Sequence, residues 1–139
     1  MIEVVELKSK GELKEFLKFP FTLYKDNPYW TPSIIANELK NLDPEINPVF
    51  KRADAQFYAA KKNGQWVGRI AVITNWLEIE EQGKSKVRFG WFDVIDDLEV
   101  TKALLEKVIE TGKKYNLEYM EGPVGFSNMD KAGLLVEGF

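Results

Sequence analysis

Cysteine and histidine are both absent from the 139 residues of the sequence. Without cysteine the chain has no disulfide, no thiolate metal site and no cysteine nucleophile. Without histidine it lacks the side chain that most often acts as a general base or binds a metal ion near neutral pH. The carboxylates of the chain also lack the spacing of an EF-hand calcium loop, so they do not predict a metal site in place of cysteine and histidine ligands. We therefore predict that the protein binds no metal cofactor.

Positive charge and long apolar runs are also scarce. The formal net charge is −3 and the sequence pI is near 5.2, so nothing suggests a basic surface that would hold phosphate backbones. No apolar run approaches the roughly 20 residues that span a bilayer, and the N-terminal stretch MIEVVELKSK has no apolar segment behind a basic start. We predict a soluble, cytoplasmic protein that binds neither nucleic acid nor a membrane.

Hydrophobic residues, by contrast, are abundant. They make up 45% of the chain, and aromatic residues make up 13%. This composition argues against disorder and is sufficient for one domain with its own core. We therefore expect residues 1–139 to form a single domain.

The pair Asn63-Gly64 lies between two β-rich runs, Phe57–Lys61 and Trp66–Thr74. An Asn-Gly pair suits the two positive-φ positions of a type I′ turn, so we predict a β-hairpin. In the second run, the side chains expected on each of the two faces of the strand are mostly apolar. This is typical of a strand that is covered on both faces. One expected face carries Val67, Arg69, Ala71 and Ile73, and the other carries Trp66, Gly68, Ile70, Val72 and Thr74.

The N-terminal region predicts a strand followed by a helix. Ile2–Leu7 alternates as a short strand, and Ser9 with Glu12 forms a capping box for the helix. We expect this helix to run to about Phe19, because Pro20 disfavours helical geometry at the residue before it. The segment after the proline could resume as a second helical turn.

A second helix is expected to start at Thr31 and Pro32, since proline is tolerated in the first turn. It should end before Pro44. Its expected apolar face consists of Ile34, Ile35, Leu39 and Leu42.

The segment after the hairpin, Trp76–Lys86, has two open interpretations: an extension of the preceding strand or a projecting loop. Val87–Ile95 then predicts another strand, in which Gly90 marks a bulge. These strands would form an antiparallel meander.

Asp96 is the expected N-cap of the clearest helix, with Glu99 completing its capping box. We expect this helix to end near Tyr115 and to be followed by a strand at Leu117–Met120. A right-handed crossover would make that strand parallel to the one before the helix. The predicted fold class is α+β, a three-layer α/β/α arrangement around a mixed, mostly antiparallel sheet of about five strands.

Two features have both a structural and a functional interpretation. The loop Asp26–Pro32 contains Tyr29 and Trp30, which could form a ligand wall or a clamp that packs the first helix onto the sheet. Arg69 on the covered strand needs a partner, so it could form an ion pair with Asp93 on the neighbouring strand or bind an anion.

The order of elements resembles the N-terminal part of the GNAT superfamily of N-acetyltransferases. More closely, four segments resemble a little-characterised bacterial family of acetyltransferase-like proteins. Together they cover most of the chain. They are FPFTLYKDNPYWTP, the NPVF at Asn47–Phe50, VGRIAVITN and GPVGFSNMDKAGLLVEGF.

The resemblance implies an acyl-CoA-dependent N-acyltransferase-like domain with acetyl-CoA as its cofactor. In that superfamily a glycine-rich turn after the fourth strand holds the coenzyme pyrophosphate. The equivalent stretch here, Ile95–Thr101, has three acids and no glycine, lysine or arginine, so acetyl-CoA binding is expected to be poor. The alternative is a non-catalytic ligand- or partner-binding domain with a degenerate coenzyme site. The candidate coenzyme residues are Phe92, Asp93, Val94 and Asp97.

The acceptor site implied by the resemblance has no assigned catalytic residue, because spacing singles out none of the polar candidates Glu121, Tyr119 and Tyr29. Ser127 has no histidine base, which favours a turn or capping role for it. The candidate substrate-binding residues are Tyr29, Trp30, Arg69, Ser127 and Asn128.

The sheet of a complete GNAT domain continues past its fifth strand with two more, whereas this sequence ends at Phe139. We therefore expect the strand at Leu117–Met120 to have an unpaired edge. That edge would be covered in a homodimer, or by a C-terminal portion or partner chain that completes the sheet. The alternative is a tail helix that folds back over the edge and leaves a monomer.

Overall fold

The computed structural model describes residues 1–32, 34–126 and 133. Within this part of the chain, five strands form one sheet, and their order along the sheet is their order along the sequence. The first four strands are antiparallel to their neighbours, and the fifth is parallel to the fourth. The elements are β1 (Ile2–Leu7), α1 (Lys10–Leu23), α2 (Ile35–Asn41), a 3₁₀ turn (Pro48–Lys51), β2 (Ala53–Lys62), β3 (Gln65–Asn75), a helical turn (Leu77–Glu81), β4 (Lys86–Val94), α3 (Leu98–Lys114) and β5 (Tyr119–Glu121).

Helices cover both faces of the sheet, as predicted for a three-layer α+β fold. On one face α1 packs through Phe16 and Leu17, and α2 packs through Ile35 and Leu39. On the other face α3 packs through Val100 and Leu104. β3 lies between the two layers, and its central residues 70–73 are fully buried.

The hairpin between β2 and β3 is confirmed. Asn63 has φ 54° and Gly64 has φ 80°, which are the positive values that a type I′ turn requires. The predicted alternation along β3 is wrong at its first residues, because Ala60 pairs with Gly68 while Lys61 pairs with Trp66. Val67 is the extra residue of this bulge, so Trp66 packs on the α1 side and Val67 on the α3 side.

Helix α1 begins as predicted and ends later than predicted. The Ser9 hydroxyl accepts a hydrogen bond from the Glu12 amide at 3.1 Å, and the Glu12 carboxylate accepts one from the Ser9 amide at 3.0 Å. The helix nevertheless continues through Pro20 to Leu23. Pro20 has no N–H for the carbonyl of Phe16, four residues earlier. That carbonyl instead accepts a hydrogen bond from Arg69 Nη1 at 2.9 Å. This bond reduces the free-energy cost of a proline inside the helix.

The starts of α2 and α3 also differ from prediction. α2 begins at Ile35, because Ile34 before it has extended backbone. Ile34 is therefore 68% exposed and lies outside the apolar face. α3 is capped by Asp97 rather than Asp96, since Asp97 has extended backbone and its carboxylate accepts a hydrogen bond from the Glu99 amide at 2.9 Å.

The segment Trp76–Lys86 is neither a strand extension nor a projecting loop, because a helical turn buries Glu78 beneath it. The Glu78 carboxylate accepts a hydrogen bond from Arg88 Nε at 2.7 Å and lies 3.5 Å from Lys86 Nζ. Lys86 also contacts Glu121 on β5 at 3.0 Å. The buried charges thus join the β3–β4 connection to β4 and β5.

We predict that Glu78→Gln lowers the free energy of unfolding by about 3–5 kcal/mol, because it leaves two buried cations with less compensating charge. Hydrogen bonds from Arg88 hold the pKa of Glu78 below its ordinary value. A lowered folded-state pKa gives stability that is present above the unfolded-state pKa of about 4.3 and is lost at lower pH. Urea titrations between pH 7 and pH 3 should show a smaller acid loss in Glu78→Gln than in the wild type.

The matched control is Glu80→Gln, since Glu80 lies on the same turn with an exposed side chain. Its unfolding midpoint should stay close to that of the wild type. Equal effects of the two substitutions would contradict the role given to the buried carboxylate.

We predict that Gly64→Val lowers the free energy of unfolding by about 1–3 kcal/mol, because a β-branched residue is strained at positive φ. A Cβ at Gly64 would meet nothing within 4 Å, so the loss would report backbone strain alone. Gly64→Asn is the control, since asparagine tolerates this conformation better. An unchanged urea midpoint in Gly64→Val would contradict the turn.

The outer edge of β5 is exposed within the described residues, where Tyr119 and Met120 are 47% and 43% exposed. β5 lies at the end of the strand order. Pairing of this edge, in a homodimer or with further polypeptide, stays a prediction. We expect an interface above roughly 1,000 Å². Light scattering over a concentration series checks the homodimer, and a strict monomer at ~100 μM, well above micromolar dissociation constants, would exclude it.

Candidate functional site

The end of β4 departs from regular pairing with β3. Arg69 pairs with Asp93 while Ala71 pairs with Gly90, so one residue of β3 lies opposite two of β4. This is the bulge predicted at Gly90, and Trp91 within it has φ 45°. Trp91 and Asp93 consequently face α1 and α2, whereas Phe92 faces α3.

In the described part of the chain, no strand pairs with the other edge of β4 beyond the bulge. β5 pairs with β4 only at Lys86–Arg88, and one further hydrogen bond joins the Val124 amide to the Phe89 carbonyl at 2.8 Å. Among the described residues, Trp91–Val94 has no backbone partner on this side. The coenzyme candidates Phe92, Asp93 and Val94 thus lie on a strand edge whose outward backbone groups have no partner among the residues that the structure describes.

Arg69 is the buried cation beside this edge. Its Nε and Nη2 donate to Asp93 Oδ2 at 2.9 Å and 2.7 Å, and its guanidinium lies 4.9 Å from the ring centre of Phe16. The predicted ion pair with Asp93 is therefore observed. Burial lowers the pKa of Arg69, and the Asp93 carboxylate opposes that shift.

Tyr24 occupies the other oxygen of Asp93. Its hydroxyl donates to Asp93 Oδ1 at 2.6 Å. Burial and this hydrogen bond raise the pKa of Tyr24 well above its ordinary value. Tyr24 is therefore protonated at neutral pH, and Asp93 has both oxygens engaged.

In the loop Asp26–Pro32, one of the two aromatic residues is packed against neighbours and the other is exposed. Trp30 is half-buried, with its ring 5.1 Å from Phe21 and 5.7 Å from Tyr24. Both partners belong to the C-terminal end of α1, and the role of the loop as a clamp onto the sheet or as a ligand wall stays a prediction. Tyr29 is 74% exposed, and its amide donates to the Asn27 side chain at 2.9 Å.

A contact missed from the sequence joins α2 to the bulge. The indole Nε1 of Trp91 donates to Glu38 Oε2 at 3.2 Å. Glu38 also acts electrostatically on Arg69. No sequence signal identifies this contact, because it depends on the left-handed backbone of Trp91.

The acidic turn before α3 uses much of its own hydrogen-bonding capacity. The Asp97 amide donates to the Ile95 carbonyl at 2.7 Å, and the Asp97 carbonyl accepts from the Thr101 amide at 3.2 Å. The Asp97 carboxylate caps the Glu99 amide and lies 3.7 Å from Lys62 Nζ. A pyrophosphate here would meet acidic side chains and few free amides.

The remaining candidates that the structure describes are not gathered at this edge. Ser127 and Asn128 lie outside the described residues. Glu121 and Tyr119 lie on β5, where Glu121 contacts Lys86. In the described part of the chain no cluster of carboxylates could hold a metal ion, and no helix is both long and apolar enough to cross a membrane.

Comparison with proteins of known sequence finds two relatives. Protein YghO of Escherichia coli (strain K12) is 36% identical over 131 residues, which cover 94% of this chain and 33% of the relative. The bacterial ceramide synthase of Caulobacter vibrioides (strain NA1000 / CB15N) is 29% identical over 139 residues, which cover 99% of this chain and 36% of the relative. The chain thus spans about a third of the length of either relative. No family model matches it.

Solved structures with a similar fold are GNAT acetyltransferases. A tandem GNAT protein from the clavulanic acid biosynthesis pathway superposes with a TM-score of 0.59 at 14% identity, over 84% of this chain and 34% of that one. A predicted acetyltransferase with acetyl-CoA from Clostridium acetobutylicum superposes with a TM-score of 0.58 at 12% identity, over 86% of this chain and 79% of that one. The protein therefore has the GNAT fold.

Proposed function

We propose that the chain belongs to an acyl-CoA-dependent N-acyltransferase and supplies its coenzyme-binding edge. The observation that carries this proposal is the open edge of β4 at Trp91–Val94. It follows directly from the bulge and leads into the start of α3.

An open strand edge suits the pantetheine arm of coenzyme A. That arm carries two amide groups, which can pair with a strand as an added peptide does. The carbonyl and N–H groups of Trp91–Val94 that face away from β3 would supply the partners. An acyl thioester held in this way lies along the side of the sheet where Trp91 and Asp93 project.

The proposed reaction transfers the acyl group of an acyl-CoA thioester to an amine: the amide C–N bond forms, the thioester C–S bond breaks, and coenzyme A leaves as the thiol with the proton that the amine gives up. One relative is named a ceramide synthase, and a ceramide is the amide of a long-chain base with a fatty acid. This supports amide formation as the reaction class. The absence of cysteine from the chain is in keeping with the cytoplasmic location that we also propose.

A second candidate function, a non-catalytic domain with a degenerate coenzyme site, is favoured by the acidic turn. Each like-charge contact between a carboxylate and a phosphate at ~4 Å costs up to roughly 4 kcal/mol, less the screening by salt. The start of α3 offers only about half a positive charge in return. Acetyl-CoA should therefore bind weakly, in the millimolar range.

Calorimetry with acetyl-CoA and octanoyl-CoA tests the proposal. We expect octanoyl-CoA to bind more tightly than acetyl-CoA, because a longer chain buries more apolar surface. Asp96→Lys should tighten the binding of both about 2- to 30-fold, since an exposed pair contributes about 0.2–1 kcal/mol and the substitution changes the charge by two. Asp96 is exposed, and Asp97 keeps its capping role.

Glu106→Lys is the matched control, because Glu106 is an exposed acid further along α3 and its substitution makes the same change in net charge. It should leave the affinity nearly unchanged. If neither thioester binds to the wild type or to Asp96→Lys, the acyltransferase proposal is wrong and the non-catalytic domain is favoured. Micromolar binding of acetyl-CoA to the wild type would show that the acidic turn is no obstacle.

A further inference from the structure

The exposed side of α1 carries a row of lysines. Lys10, Lys14 and Lys18 are all exposed and are spaced by four residues, which places them on one side of the helix. At about 100° per residue, these lysines and Phe21 fall within an arc of about 80°. We call these four residues the lysine face. Its first lysine, Lys10, lies 3.9 Å from Asp43 and keeps an exposed side chain.

The positive charge of the lysine face is poorly compensated. Among the described residues, no carboxylate forms an ion pair with Lys14 or Lys18. The acids Glu12 and Glu15 of α1 fall outside the arc, and the Glu12 carboxylate is used in the capping box. The lysine face is therefore a local positive surface on a chain of net charge −3. The sequence-based expectation of no membrane binding rests on that total charge and on apolar run length, which do not describe how charges are distributed over the folded surface.

Aromatic residues lie beside the lysine face at the C-terminal end of α1. Phe21 is 38% exposed, and its ring lies 5.1 Å from that of the half-buried Trp30. Tyr29, the residue before Trp30, is 74% exposed. Tyrosine and tryptophan are enriched where a membrane meets water, because their rings are apolar while their polar tips stay hydrated. We call Phe21, Tyr29 and Trp30 the aromatic surface.

The chemistry of these two surfaces favours a membrane over a single phosphate group. Lysine ammonium groups act as point charges and lack the planar fork with which arginine binds one phosphate. They therefore suit a diffuse negative charge, such as that of a leaflet that contains anionic lipids. An apolar contact beside the lysines adds the second signal that stable membrane binding requires.

We propose that the lysine face and the aromatic surface bind the surface of an anionic membrane. The lysines contact the lipid headgroups, and Tyr29 enters the interface beside Phe21. The ring of Trp30 also lies 5.7 Å from that of Tyr24, whose hydroxyl donates to Asp93 at 2.6 Å. The membrane-binding surface is thus joined through Tyr24 to the bulge of β4.

Cosedimentation of the wild-type chain with vesicles tests the proposal, and it requires neither a coenzyme nor an acceptor. We expect binding to vesicles made of phosphatidylcholine and phosphatidylserine in equal parts, and much weaker binding to vesicles of phosphatidylcholine alone. Raising the salt concentration from about 0.1 M to about 1 M should release the chain, because the Debye length falls from about 10 Å to about 3 Å.

Lys14→Gln combined with Lys18→Gln removes two charges from the lysine face. We expect the affinity for the mixed vesicles to fall about 30-fold, which is about fivefold for each lysine near an anionic surface. The matched control combines Lys102→Gln with Lys113→Gln, because both lysines are exposed on α3, which packs on the opposite face of the sheet. Its vesicle affinity should stay close to that of the wild type. All four lysines are exposed, so the melting temperatures of both variants should also stay close to that of the wild type.

Tyr29→Ser tests the aromatic contact. We expect it to lower the affinity for the mixed vesicles about 3- to 10-fold, in keeping with partial burial of one aromatic ring. Leu98→Ser is the matched control, since Leu98 is an apolar residue on α3 that is 68% exposed. Its vesicle affinity should not change.

Absence of binding to the mixed vesicles, or equal binding to vesicles with and without phosphatidylserine, would overturn the proposal without any variant. An equal loss of affinity in the two double variants would show that only the net charge matters, and would overturn it as well. If Tyr29→Ser leaves vesicle binding unchanged, charge alone holds the chain and the membrane assignment is wrong. Tight binding of a short oligothymidylate that is lost on substitution of Lys14 and Lys18 would assign the lysine face to nucleic acid instead.

Discussion

The buried guanidinium of Arg69 is the constraint on which the arrangement of this fold depends. It lies on the central strand, nine-tenths removed from solvent, where an unpaired charge would cost several kcal/mol. Its partners come from two other elements: Asp93 on β4 supplies the countercharge, and the Phe16 carbonyl on α1 accepts from Nη1. That carbonyl is available because Pro20 cannot donate to it. One side chain thus fixes α1 and β4 relative to β3.

Two groups of buried charges hold β4 at its two ends. At its start, Lys86 and Arg88 meet Glu78 below the β3–β4 connection. At its end, Asp93 meets Arg69. The bulge lies between them, since the register changes between Asp93 and Gly90. Among the described residues, this arrangement leaves the edge of β4 at Trp91–Val94 without a backbone partner, and Trp91 is turned towards Glu38 on α2. The proposed coenzyme edge therefore depends on the same bulge that lies beside the Arg69–Asp93 pair.

Local chemistry made much of this fold predictable. The Asn63-Gly64 turn and the Ser9–Glu12 capping box depend on neighbouring residues only, and the Arg69–Asp93 pair follows from a charge on a covered strand. The predictions that were wrong concern features that depend on residues far away in the sequence. α1 continues through Pro20 because Arg69 compensates it from β3, and the faces of Trp66 and Val67 depend on a bulge against β2. Glu38 could not be found, because its contact with Trp91 spans 53 positions and a left-handed residue.

The central claim is that an acyl-CoA thioester pairs with the open edge of β4. Amide hydrogen exchange measured with and without octanoyl-CoA tests it most directly, because backbone pairing slows exchange at the amides that pair. Slower exchange confined mainly to residues 91–94, with little change in β1 and β2, is the result that this account predicts. If octanoyl-CoA gives saturable heat in calorimetry while exchange at residues 91–94 stays unchanged, the thioester binds elsewhere and the account is contradicted.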